Sequence, residues 1–259
     1  MRTLRGKVLI SVLIVTLASV CCLALRLIQR PHHVDHNQID NLLADLQSPD
    51  ELVVLEAKAE LARLGGIATK PLMSLLQDLK SRGDKSPTEG PDRGPVSEPH
   101  MRVQDKNPLT DSETKARLEN HIYEMLGQLH AAEAVPLLVT IMEEEEINDM
   151  IQGMSPVMRS LVEIGRPAVP RLIESIDTAK STASVSRELR ASDLTEETRE
   201  RNLSWIQGRI ELRATLVLRE IGDQRAIPAL ERLQTSSDNP FIVNQAREAL
   251  REIQNKGTQ

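Results

Sequence analysis

The sequence predicts an all-α protein, a right-handed α-solenoid of four to five helical pairs preceded by one N-terminal transmembrane helix. Three observations predict it. One phrase recurs: an apolar helical run, a glycine, a short step to alanine, then X-Pro and a second apolar run. It reads ARLGGIATKPLMSLL at 62–76, EMLGQLHAAEAVPLLVTI at 124–141, VEIGRPAVPRLIESI at 162–176 and REIGDQRAIPALERL at 219–233. Self-similarity of this kind marks stacked helix pairs, because one pair cannot bury its own apolar face and needs neighbours. Aromatic residues are almost absent, Tyr123, Trp205 and Phe241 being all there are. Aliphatic side chains must supply the packing, which suits thin layers of paired helices. Finally, residues 8–25 contain no charge.

That uncharged run of 18 residues lies between Arg2, Arg5 and Lys7 on one side and Arg26 and Arg30 on the other. Its length just reaches the hydrocarbon span of a bilayer and exceeds the apolar segment of a cleaved signal, about 7–15 residues. The sequence therefore predicts an anchor over 1–30 and a juxtamembrane linker over 31–37. Cleavage after Ala24, or lipid attachment at Cys21 or Cys22, stays open as an alternative. The basic residues before the run favour an N-terminus inside and a body outside the cytosol; cleavage would instead give a secreted protein. Cys21 and Cys22 are the only cysteines, so the body has neither a disulfide framework nor a thiolate metal site.

The repeat domain is expected over 38–255. Residues 39–46 (IDNLLADL) close an incomplete first unit. Ser48-Pro49-Asp50 starts a helix that Gly65-Gly66 ends, glycine taking the left-handed conformation of a C-terminal cap; Pro71 opens its partner. Residues 81–111, with Pro87, Pro91, Pro95, Pro99 and Pro108 among many charges, bury too little to offset their ordering entropy and read as a disordered insertion. A second pair follows over 112–127 and 131–146. A third starts at Ser155-Pro156 and ends near Ala179. A second polar insertion spans 180–192, and Asp193 with Glu196 reads as a capping box. Leu203, Ile206, Ile210, Ala214, Val217 and Ile221 then fall on one face of a long helix, with a bend expected at Gly208. Residues 227–233 form its partner, and Asp238-Asn239-Pro240 caps a last helix to about 254. Between repeat glycines, Gly127 to Gly165 spans 38 residues, while Gly65 to Gly127 spans 62 and Gly165 to Gly222 spans 57. Removing roughly 20–30 residues from the longer intervals restores one period.

Outside the anchor the body is acidic. Five of the 32 basic residues lie in 1–30, which leaves 27 against all 38 acidic ones, a balance of −11. Such a body argues against nucleic acid as a partner. Arg213, Arg219, Arg225, Arg232, Arg247 and Arg251 alternate with Glu211, Glu220, Glu231, Glu248 and Glu252 and read as a solvated mixed-charge face.

Residues 57–76, 117–141, 157–176 and 213–233, with a partial copy at 239–253, are similar to HEAT repeats, in particular the short type of phycobilin lyases. The resemblance covers most of the chain outside the anchor and insertions. It implies a curved stack whose second helices line an inner face, and a scaffold or adaptor role; a lyase-like or enzyme-accessory role is the alternative. Hydroxylase members of the family carry His-Glu pairs, and none occurs here.

Candidate chemistry is sparse. His32-His33-Val34-Asp35-His36 has metal-ligand composition but no scaffold to order it, so it reads as polar linker. His121 and His130 read as a partly exposed helix end, and Glu143–Glu146 with Asp149 as a solvated one. Asn202-Leu203-Ser204 matches a glycosylation sequon but falls within a helix. No catalytic residue, cofactor site or metal site is assigned. The expected function is membrane-tethered binding of a protein or peptide along the second helices, at Gln77, Thr140, Glu174, Glu231 and Arg232. Oligomeric state stays open.

Overall fold

A computed structural model describes residues 36–83, 111–145, 154–184 and 195–257. Among them every regular element is helical: α1 (His36–Asp45), α2 (Glu51–Leu64), α3 (Gly66–Gly83), α4 (Asp111–Gln128), α5 (Val135–Glu144), α6 (Pro156–Ile164), α7 (Val169–Ser184), α8 (Glu196–Ile221), α9 (Ile227–Ser236) and α10 (Pro240–Lys256). The chain divides into two units, Met1–Asn41 and Leu42–Gln259. Of the first, only 36–41, the opening turns of α1, are described. The second holds every helix from α2 onward.

Within Leu42–Gln259 the first helices contact one another in the order α2, α4, α6, α8, α10, and the second helices α5, α7 and α9 likewise. Each second helix also packs on the first helix that follows it, α3 on α4, α5 on α6, α7 on α8 and α9 on α10. This arrangement is consistent with a helical repeat. Among the larger contacts of the described residues, that of α8 with α5 departs from nearest-neighbour order by reaching two pairs back. With 26 residues α8 far outreaches the 9-residue α6. At a rise of about 1.5 Å per residue it extends roughly 25 Å further.

The corners between paired helices explain the recurring phrase. Ala68, Ala134, Ala168 and Ala226 are all fully buried, at 0% exposure. Just before them stand the backbone positions with positive φ: Gly65, His130, Gly165 and Gly222. Gly127 is therefore not the corner glycine of its repeat. It lies inside α4, where an added Cβ would come within 3.0 Å of the Ser160 backbone on α6. The left-handed residue is His130, whose ring Nδ1 donates to the Glu163 carbonyl at 2.7 Å.

Between the corners the core is aliphatic. Leu61, Leu72, Leu76, Ile122, Met125, Leu126, Leu138, Leu161 and Leu172 are fully buried, each contributing about 2 kcal/mol of apolar transfer. Tyr123 is the one buried aromatic, while Trp205 and Phe241 are exposed. Of the stripe expected on α8, Ile206, Ile210, Ala214 and Val217 are buried and Leu203 and Ile221 half-buried. The helix runs unbroken through Gly208, which lies instead against Ile242 of α10.

Several boundaries differ from the sequence reading. Asp50, not Ser48, caps α2, accepting from the Leu52 amide at 2.9 Å. α3 starts directly at Gly66, leaving Pro71 inside it. Thr195, not Asp193, caps α8, its hydroxyl accepting from the Thr198 amide at 3.3 Å. Ser155 and Asn239 cap α6 and α10 as expected. His36 and Asn37 are helical rather than linker, and α3 and α7 continue to Gly83 and Ser184, into stretches read as insertions. Asp111, also read as part of the first insertion, opens α4, while 84–110, 185–192, the anchor 1–30 and His32, His33 and Asp35 lie outside the described residues. Among the described residues no helix is long and apolar enough to cross a membrane.

Candidate partner-binding face

Four second helices carry the five residues expected to meet a partner, Gln77 on α3, Thr140 on α5, Glu174 on α7, and Glu231 and Arg232 on α9. All five are exposed. Their local roles differ. The Thr140 hydroxyl donates to the Pro136 carbonyl one turn back, at 3.0 Å. Glu174 pairs with Arg171 at 2.7 Å. Arg232 reaches across to α7 and donates to both carboxylate oxygens of Asp177, at 2.8 and 2.9 Å. That fork joins α9 to α7 while leaving both side chains about half exposed, so it orders the surface more than it stabilises the fold. Among the described residues no hydrogen bond or ion pair joins any two of the five directly. They form a dispersed, mixed-charge row.

Beneath this layer lies a buried polar cluster that the sequence reading placed in solvent. Arg213, expected on a solvated mixed-charge face, is only 1% exposed, and Glu211 beside it is buried too. Arg213 Nη1 donates to the carbonyls of Met142 and Glu145, both at 2.7 Å. Arg209, also buried, points a nitrogen at the Glu143 carbonyl at 3.5 Å. These carbonyls end α5, where helix geometry leaves acceptors unpaired and the dipole is negative, so two guanidinium groups cap it in charge as well as in hydrogen bonds. Glu143 is likewise not part of a solvated end. It is buried and accepts from the Ser175 hydroxyl of α7 at 2.6 Å. Glu144 is exposed and Glu145 half-buried. Burial pushes the Glu143 carboxyl above its ordinary range, against the Ser175 hydrogen bond and Arg171, which lower it. Burial raises Glu211 as well, opposed by a 2.7 Å hydrogen bond from Gln207. The cluster ties α8 to α5 through Arg209 and Arg213, and α5 to α7 through Glu143 and Ser175.

A third polar region opens at the corners before α7 and α9. There a cleft of about 880 Å³ is lined by Arg166, Asp223, Arg225 and Lys256 among others. Asp223 organises it. Its two oxygens accept from Nε and Nη2 of Arg225 at 3.0 and 2.8 Å, and one lies 3.7 Å from Arg166. The hydrogen bonds from Arg225, chiefly the side chain's, hold the Asp223 carboxyl below its ordinary value. Arg225 also donates to the Arg166 carbonyl at 3.0 Å, and Lys256 to the carbonyls of Arg219 and Glu220, both at 3.3 Å. Arg225 thus ties the two corners together, and Lys256 neutralises the C-terminal end of α8.

His121 and His130 both lie among the described residues. Burial, then Lys58 and Arg117, push the His121 pKa down, and His130 makes its corner contact. Among the described residues no group of three or more His, Cys, Asp or Glu side chains could hold a metal ion.

Two of the missed features left different traces. Counting back from Ala-Val-Pro at 134–136, as Gly222 counts back from Ala-Ile-Pro at 226–228, picks out His130. Nothing in the sequence separates Arg213 from the exposed arginines around it, because its burial depends on α5 arriving from two pairs away.

The packing order and the four like corners are consistent with a helical repeat. Residues 212–236, which span the end of α8 and all of α9, match the family model described as PBS lyase HEAT-like repeat. No curated protein matches the chain.

Proposed function

We propose that this chain is a non-enzymatic helical-repeat scaffold that holds a protein or peptide partner on the exposed face of its second helices. One observation carries the reading: α5, α7 and α9 pack side by side while Thr140, Glu174, Glu231 and Arg232 stay exposed along them. A stack of this kind leaves a long surface that no later part of the chain must cover. Dispersed polar residues of both signs suit a partner recognised by many weak contacts and steered by charge. The apolar run 8–25 supports a membrane tether with the repeat domain outside the cytosol. The matched repeat model supports the scaffold fold and leaves the partner to experiment.

The test is capture of a partner from solubilised membranes by the full chain. Glu174→Lys and Glu231→Lys together should reduce capture several-fold at unchanged thermal stability. Unchanged capture, with turnover of a small molecule by the purified chain, would overturn the scaffold reading. Resistance to carbonate extraction checks the tether; a soluble chain with a new N-terminus near Leu25 would replace it with secretion.

A further inference from the structure

We propose that the cleft at the corners before α7 and α9 binds an acidic peptide segment, with Arg166 and Lys256 holding carboxylates at separate points along it. The lining runs against the charge of the body. Residues 31–259 carry a balance of −11, yet the ionisable side chains lining the cleft are Arg166, Arg225, Lys256 and Asp223, three cations against one carboxylate. That carboxylate is already used. Asp223, only 10% exposed at its side chain, accepts the Arg225 amide at 2.9 Å besides the two guanidinium bonds, so both its oxygens are turned on Arg225. Donors, by contrast, remain unspent. The Arg166 side chain is 86% exposed, and its one partner among the described residues is Asp223, 3.7 Å from Nε, which leaves both Nη nitrogens unbonded. Arg225 bonds through Nε and Nη2 and keeps Nη1. Lys256 meets two carbonyls, and an ammonium has three donors. Two carboxylates close to Lys256 in the chain or the fold do not claim it, because Glu220 and Glu252 pair with Arg219 at 3.5 and 3.9 Å. A concave site with surplus donors and positive charge draws in oxyanions, and a guanidinium fork matches a carboxylate.

Size and surroundings select the occupant. A volume of about 880 Å³ lies towards the upper end of ligand sites and exceeds what one small anion fills. The unspent donors stand on different elements: Arg166 at the corner before α7, Arg225 at the corner before α9, and Lys256 at the end of α10. That separation suits a ligand with several spaced charges. No aromatic side chain lines the cleft to stack a base. A body of −11 repels a broad anionic surface, whether a duplex or a bilayer, whereas a single acidic strand reaches the cleft without facing the rest of the body. The site is separate from the exposed row on the second helices and stands whether or not that row binds.

The experiment titrates hexaglutamate into the full chain in non-ionic detergent at about 0.1 M salt, where distant surface charges are screened, and follows binding by calorimetry. Hexaglutamate should bind, and a glycine-serine peptide of equal length should not. Arg166→Gln and Lys256→Gln should each weaken binding about tenfold, the usual effect of losing one charge-assisted hydrogen bond. Circular dichroism confirms that each variant stays helical. Arg247→Gln changes an exposed arginine of α10 outside the cleft and should leave the affinity at the parent's value. Equal losses at 166, 256 and 247 would reveal general attraction to cations and overturn the site. Full displacement of the peptide by an equal concentration of inorganic phosphate would give the cleft to a single oxyanion and overturn the peptide. A parent chain that does not bind hexaglutamate would overturn both.

Discussion

Nη1 of Arg213 lies 2.7 Å from the carbonyl oxygen of Met142, so a side chain of α8 closes the last turn of α5 from two pairs away. The same nitrogen reaches the Glu145 carbonyl at an equal distance. A helix end buried in aliphatic surroundings needs such donors, because water cannot supply them.

Arg213→Ala removes both bonds, leaves buried acceptors unpaired and opens a cavity. The expected loss is about 3–5 kcal/mol, the range for breaking a buried charged contact. Urea unfolding of variant and parent measures it. A loss within 0.5 kcal/mol, roughly that of an ordinary surface substitution, would show that the contact contributes nothing.

The fully buried alanines set the closeness of each corner. Ala168→Glu and Ala226→Glu each combine overpacking with a buried carboxylate and should cost about 3 kcal/mol or more. Thermal melting checks this. An unchanged midpoint would remove these residues from the corners.

Gly222 and Gly66 make a contrast. Gly222 has a φ of +71°, and a Cβ there would lie 2.8 Å from Cδ of Lys256. Gly222→Ala should therefore cost about 1–2 kcal/mol. Gly66 has open space around it and no positive φ, so Gly66→Ala should stay within about 0.5 kcal/mol of the parent. Equal effects at the two sites would contradict the corner geometry.

Glu211 gives a pH test. Burial raises its folded pKa above the ordinary 4.5, which disfavours its charged form. The resulting destabilisation is absent below the unfolded value and develops as pH rises through the folded one. Glu211→Gln can keep the hydrogen bond from Gln207 and removes the charge. Its melting temperature should exceed the parent's at pH 7, and the gap should close towards pH 4. A gap that is constant across this range would mean that the carboxyl does not titrate as a buried group.

Helix content, the buried stripe on α8, the caps Ser155 and Asn239 and the four corner alanines were legible in the sequence. Each rests on local chemistry: apolar spacing, a side-chain acceptor beside free amides, or a small residue before X-Pro. The exposure of Gln77, Thr140, Glu174, Glu231 and Arg232 was legible for the same reason, since these positions fall opposite the apolar stripe of their own helices. Arg213 and Glu143 were not, because charge in a sequence argues for solvent until a second helix end arrives to satisfy it. Gly127 misled in the opposite sense: its missing side chain serves the close approach of α6, while His130 takes the backbone turn. The bare leucines of α2 are also a tertiary fact. The spacing of Leu52 and Leu55 matches that of core residues, yet both are exposed. Local periodicity determines which residues can be buried; the arrangement of neighbours decides which are, because burial is a property of the contact and not of the residue.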